Sequence, residues 1–308
     1  MEAGARKESA YLKHFGRPLH PFQRTRRELV DYKEQSPSSH LENLERYLRV
    51  ASDLVPPKAN EEIQPSIRHP DLQPNNIFVS NSLEITGLID WQHCTILPLF
   101  LQAGIPGTLQ NYGDDVSESL QEPRLPSNFD EQSESGQLKE VLLLRKRQLH
   151  YTYVTETLRL NRAHGEVLTD SLSILRRKLF RHASEPWEGD NISLKADLVE
   201  LTRQWSRLVP PPTSTMQSKC LFEFSEKEAI ETLSLARAME AADSQFQDCL
   251  ELVGVGNEGW VPVEQYADAR RRERQLKEDT LLEAESEEER RQICEHWIFD
   301  DFDETVYL

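Results

Sequence analysis

The chain has 308 residues, enough for one large domain or two modest ones. A hydrophobic content of 37% and a mean hydropathy of −0.64 are low for a fully compact globule, and predict a real core surrounded by much solvated helix and loop. Thirty-six basic against 53 acidic residues leave a net charge of −17, which argues against general binding to nucleic acid or anionic membranes.

Four cysteines, Cys94, Cys220, Cys249 and Cys294, are widely spaced with no CxxC pair. That pattern argues against a zinc ribbon or a disulfide scaffold and for reduced thiols. No apolar run reaches the length of a transmembrane helix. The opening stretch is modestly basic but has no apolar signal-peptide core, and Glu2 and Glu8 argue against an organelle presequence.

The first sixty or so residues read as helix with proline-rich breaks. In HLENLERYLRVASDL, Leu41, Leu44, Leu48 and Leu54 recur at helical spacing, with Tyr47 and Val50 near that face. VPPKANEEIQP then stops the helix. The only clear strand signal follows. NIFV (76–79), the turn SNS and LEITGLID (83–90) predict a small hairpin, with Leu83, Ile85 and Ile89 on one side. ILPLFLQAGIP reads as a buried apolar segment, with Cys94 just before it as a small core residue. The acidic stretch NYGDDVSESLQEPRLPSNFDEQSESGQ reads as a mobile loop.

Beyond it the chain is almost all helix, with helices expected near 137–162, 166–184, 194–208, 225–252 and 263–297. The aromatic cluster LHYTYVTETL (149–158) has the spacing of core rather than pocket, and SEPWEGDN (184–191) reads as a helix-to-helix turn with an exposed acid pair. Ser225 and Glu228 form a capping-box pattern, and GVGNEGW (254–260) a glycine turn ending a long helix. The charge-alternating run from Arg270 reads as a solvated helix. The expected fold is therefore mainly α with one small hairpin.

Chemistry concentrates in His69-Pro70-Asp71-Leu72-Gln73-Pro74-Asn75-Asn76, an H-x-D-x-x-x-x-N spacing, with Asp90 fourteen residues beyond Asn76. Phosphoryl transfer needs a carboxylate that orients the acceptor hydroxyl and accepts its proton, which Asp71 can supply. It also needs magnesium on oxygen ligands, and the Asn76 carboxamide and the Asp90 carboxylate fit that demand. A hairpin returns its two ends to one place, so both oxygens can reach one ion. The competing readings are that these Asp and Asn residues only cap turns, or that His69 and His93 join Asp71 and Asp90 around a transition metal. No HxH or HExxH spacing supports the latter, and each histidine is better read as structural. Trp91 is read as packing rather than ligand stacking.

The segment HPDLQPNNIFV…GLIDWQ resembles the catalytic and metal-binding loops of aminoglycoside phosphotransferase-like kinases, relatives of the protein kinases. GLIDWQHCTILPLFLQAGIP and EEERRQICEHWIFDDFDE resemble the fungal branch whose members are called altered inheritance of mitochondria protein 9. The resemblance implies Asp71 as catalytic base, Asn76 and Asp90 as ligands of Mg2+ carrying ATP, His69 as a brace of the catalytic loop, an unidentified hydroxyl acceptor and a mitochondrial location. Gln73-Pro74-Asn75-Asn76 stands where the family often has His-Pro-Gly-Asn, and Asn75 in place of glycine can require a left-handed backbone. The 68 residues before His69 show no nucleotide-covering glycine loop and no lysine strand. The resemblance therefore implies a kinase-like C-terminal lobe without its small lobe. Residues 1–60 would be a helical linker and the start of the lobe, 61–210 the lobe with both loops, and 211–308 a helical extension. ATP binding and turnover would be impaired. The alternative is a non-catalytic, mitochondria-associated interaction or structural protein that keeps the loops as fold elements. A metal-dependent hydrolase using the same acids is a third reading.

Overall fold

A computed structural model describes residues 1–56, 61–209, 219–256 and 259–307. In chain order it contains α1 (Glu2–Phe15), α2 (Pro37–Val50), β1 (Pro65–Ile67), β2 (Ile77–Val79), β3 (Ile85–Leu88), β4 (Ile96–Pro98), α3 (Leu99–Gln102) and α4 (Asp115–Glu118). There follow α5 (Glu134–Leu160), α6 (Arg162–Thr169), α7 (Ser171–His182), α8 (Ser193–Leu208), α9 (Glu226–Val253), α10 (Tyr266–Glu283) and α11 (Glu287–Glu295). The fold is mainly α with short antiparallel strands, as expected of a kinase-like C-terminal lobe. Two compact units are formed. One comprises Met1–Ser52, Arg181–Trp205 and Pro212–Leu308, and the other Asp53–Phe180 and Ser206–Pro211. The three consecutive segments 1–60, 61–210 and 211–308 are distributed over these two units.

In the first unit, Ser36 caps α2 by accepting the Ser38 amide at 3.3 Å, and Pro37 occupies the first turn, where its missing N–H costs nothing. The buried face of α2 is His40, Asn43, Leu44, Tyr47 and Val50. It is rotated from the expected leucine stripe, leaving Leu41 and Leu48 half-buried. SEPWEGDN is a turn, but a packed one. Trp187 is buried, and Asp190 caps α8 through the amides of Ile192 (2.7 Å) and Ser193 (3.1 Å). Ser225 caps α9 through the Glu228 amide at 3.2 Å, while the Glu228 carboxylate pairs with Lys195 at 2.8 Å. Gly254, at φ +83°, closes α9, and the Val255 amide reaches back to the Leu250 carbonyl at 2.9 Å. The helix expected over 263–297 is two. Ser286 starts α11 by accepting the Glu289 amide at 3.1 Å.

In the second unit, two caps divide the expected helices. Asn161 accepts the His164 amide at 3.2 Å and opens α6, and Asp170 accepts the Ser173 amide at 2.7 Å and opens α7. The acidic stretch around residue 115 is not all loop. Asp114 caps α4 through the Ser117 amide and is gripped by Arg147 at 2.6 Å, which holds its carboxyl below the usual range. The hairpin pairs β2 with β3, Ile77 opposite Leu88 and Val79 opposite Ile85, with a bulge between Phe78 and Val79. Its apolar side chains face solvent, Leu83 being 82% exposed. A second ribbon, unforeseen in the sequence, pairs β1 with β4 from Pro65↔Pro98 to Ile67↔Ile96. The apolar stretch after Cys94 therefore starts as an exposed strand and becomes buried only at Leu99, Phe100 and Ala103.

Candidate functional site

The two ribbons are nested in sequence. Residues 68–76 lead from β1 to β2 and residues 89–95 lead back from β3 to β4, so both loops are tethered at both ends. Three hydrogen bonds join them among the described residues. The Ile89 amide donates to the Asn76 carbonyl at 3.1 Å, continuing the hairpin by one pair. His69 Nε2 donates to the Ile89 carbonyl at 2.6 Å while its Nδ1 accepts the Asp71 amide at 3.2 Å. Cys94 Sγ donates to the Arg68 carbonyl at 3.3 Å. Cys94 is thus a half-buried cross-link rather than a core filler.

His69 therefore bridges the loop that carries Asp71 to the loop that carries Asp90. Trp91 stands edge-on to the His69 ring at 4.8 Å, and its Nε1 donates to the Leu88 carbonyl at 3.2 Å. Arg68, next in sequence, anchors the 68–76 loop. Its Nη1 donates to the carbonyls of Gln102 (2.9 Å) and Gly104 (2.6 Å), and its Nη2 to the Tyr153 hydroxyl (2.8 Å).

Asp71 is exposed, and its Oδ2 accepts from Gln73 Nε2 at 2.7 Å and Asn76 Nδ2 at 3.2 Å. Asn76 is only 7% exposed, and its Nδ2 also donates to the Asp71 carbonyl at 2.9 Å. The amide nitrogen of Asn76 is thus committed to Asp71, while its Oδ1 takes no hydrogen bond among the described residues. Asp90 is exposed, takes no hydrogen bond or ion pair among the described residues, and sits at φ +63°. His93 is also left-handed, at φ +61°. Such a conformation is uncommon outside glycine, and two instances within four residues give the 89–95 loop its tight path. The left-handed position anticipated at Asn75 is not there; Asn75 lies in a single 3-10 turn, Pro74–Asn76.

A carboxamide oxygen on Asn76 and a carboxylate on Asp90, neither with a hydrogen-bond partner among the described residues, are ligand types that a hard divalent cation accepts. The transition-metal alternative has no matching ligand set, since no group of three or more His, Cys, Asp or Glu side chains is gathered among the described residues. Gln73, which sequence reading treated only as a departure from the family pattern, is in direct contact with Asp71. The aromatic cluster on α5 is part core and part surface. His150 and Val154 are buried, whereas Leu149 and Tyr153 line a groove of about 460 Å³ with Leu109, Leu160 and His164. Burial, followed by the charges of Arg68 and Arg177, pushes the His164 imidazole down to about 4.

Residues 3–101, which hold all four candidate residues, match the model of the phosphotransferase enzyme family, APH. Over 271 residues the chain is also 30% identical to subtelomeric hrmA-associated cluster proteins from two strains of Aspergillus fumigatus. The alignment takes in 86% of this chain and 50% of each relative, so the chain spans about half the length of the curated relatives it matches. Neither relative carries the altered-inheritance-of-mitochondria name. No solved structure matches.

Proposed function

We propose that the two loops form the catalytic and metal-binding half of an ATP-dependent phosphotransferase acting on a hydroxyl acceptor. Asp71 is the base that orients the acceptor and takes its proton, Asn76 and Asp90 hold Mg2+, and His69 keeps the two loops in register. The observation that carries this reading is the His69 bridge between the Asp71 amide and the Ile89 carbonyl, which couples base and metal loops through one side chain. The family match over residues 3–101 supports the same class of chemistry. When bound, magnesium would neutralise the nucleotide phosphates during transfer. The protein's own part is positioning: Gln73 and Asn76 tie Oδ2 of Asp71, leaving Oδ1 to face the hydroxyl.

Thermal unfolding with MgATP tests the reading. A site built from Asn76 and Asp90 raises the melting temperature of the parent chain and not of Asp90→Ala. An equal shift in both places the nucleotide elsewhere. No shift in either favours the alternative, a non-catalytic interaction protein that retains the loops as fold elements.

A further inference from the structure

The acidic, aromatic segment 296–307, HWIFDDFDETVY, has no part in the phosphotransfer reading. In the first unit it lies against residues 17–32. Arg24 and Arg27 are only 9% and 6% exposed, and the Phe302 ring lies 4.5 and 5.6 Å from their guanidinium carbons. Phe22 meets Phe302 and Tyr307 edge-on at 5.5 and 5.1 Å. Arg24 Nη1 donates to the Trp297 carbonyl, and Arg17 Nη2 to the Val306 carbonyl at 2.8 Å. Arg27 Nη2 donates to the Tyr307 hydroxyl at 3.3 Å, which in turn donates to the His20 carbonyl at 2.9 Å. Asp300 is held separately by Lys277 at 2.7 Å. A cationic, aromatic receptor thus holds an acidic, aromatic segment of the same chain.

One contact in this dock tolerates only one protonation state. Arg27 Nη1 lies 3.2 Å from His296 Nδ1. A guanidinium has donors and no acceptor, so Nδ1 must accept and His296 carries its proton on Nε2 alone. The His20 ring is 5.6 Å from that of His296, and Tyr32 stacks on His296 at 4.8 Å. His20 Nδ1 is buried with no hydrogen-bond partner among the described residues, so a proton added there finds no acceptor among them. A second proton on His296 would set donor against donor and place an imidazolium beside two guanidiniums.

We propose that segment 296–307 is an intramolecular ligand of the Phe22–Arg24–Arg27 receptor and that protonation of His296 and His20 releases it. Burial, then Arg27, holds His20 below the usual imidazole range, with Glu34 opposing. Burial, then Arg27 and His20, holds His296 down, with Glu295 opposing and Arg24 adding to the depression. Other charged groups facing the dock are Asp300 and Asp301 toward Arg24, Glu28 and Glu289 toward Tyr32, the buried Glu273 accepting from Trp297 Nε1 at 2.7 Å, Lys277 over the Trp297 ring, and Arg17 toward Asp303. No carboxylate lies within ion-pair distance of Arg24 or Arg27 among the described residues. The released segment binds protons more readily than the docked one. Docking is therefore intact above about pH 6.5, the ordinary histidine value, and weakens as the pH falls below it.

Hydrogen exchange of the full chain at pH 7.5 and pH 5.5, corrected for the intrinsic pH dependence of exchange, tests this. In the parent, protection of amides 297–307 is expected to fall at least tenfold at the lower pH while the amides of α8 keep theirs. In His20→Asn/His296→Asn, whose side chains can accept but do not titrate, protection of the segment is expected to persist. Circular dichroism checks that the double variant folds; if it does not, His296→Gln serves, with a reduced pH effect expected. Unchanged protection in the parent overturns the proposal. So does an equal loss in the variant, or parallel loss in α8, which would mean that the whole unit opens.

Discussion

Asn76 divides its side chain between two tasks. Its nitrogen ties the Asp71 loop at 2.9 and 3.2 Å, and in the proposed function its oxygen is the one offered to a cation. Asn76→Ala is therefore expected both to abolish the MgATP-dependent thermal shift and to cost about 1 kcal/mol in urea unfolding, because the Asp71 carbonyl and carboxylate lose the donor from the buried Asn76 side chain. His69→Ala should leave the secondary structure intact yet lose the nucleotide shift, since the bridge between the loops is gone. His40 is a residue-scale determinant of stability. It is 4% exposed, neither ring nitrogen has a hydrogen-bond partner among the described residues, and burial pushes its imidazole down to about 4. The unfolded chain takes up this proton near pH 6.5 and the folded chain only near pH 4. Stability due to this group is full above pH 6.5 and falls across that window, by ~3 kcal/mol when complete. Unfolding free energies measured from pH 7.5 to 4 should show this loss in the parent and a flatter profile in His40→Leu.

Among the elements, what could be read in advance was local. The β2–β3 hairpin was visible because its strands are separated by one short turn, and the capping residues Ser225 and Gly254 announce the ends of α9 within a few positions. The β1–β4 ribbon was not visible, because each strand has three residues and its partner lies some thirty positions away. The link from Cys94 to Arg68 spans 26 positions, and the tie from Arg68 to Tyr153 spans 85; no local pattern encodes either. Asn161 and Asp170 could have been recognised as caps, but each sits in an otherwise helical pattern that hides it. Gly165 shows why α5 and α6 can meet closely. A Cβ there would lie 2.7 Å from Leu158 Cα, so the helices must separate to admit it. Gly165→Ala is expected to destabilise the protein by about 1–3 kcal/mol in urea unfolding, despite the gain in helix propensity.

At the scale of the whole molecule, the sequence motif and the fold converge on one small region of a long helical chain. The loop carrying H-x-D-x-x-x-x-N and the loop carrying Asp90 are joined not by the hairpin alone but by two nested ribbons, with hydrogen bonds from Ile89 to Asn76, His69 to Ile89 and Cys94 to Arg68. The chain spans about half of the relatives it matches, so what it does as an isolated protein has to be measured on this chain itself. The central claim is that Asn76 and Asp90 share one divalent cation beside Asp71. Manganese accepts the same oxygen ligands as magnesium and broadens nearby NMR signals. Titrating MnATP into the isotopically labelled chain should broaden the amide and side-chain signals of Asn76 and Asp90 first, with Asp71 close behind, and Asp90→Ala should remove the effect. Broadening centred elsewhere, or unchanged by that substitution, would contradict the account.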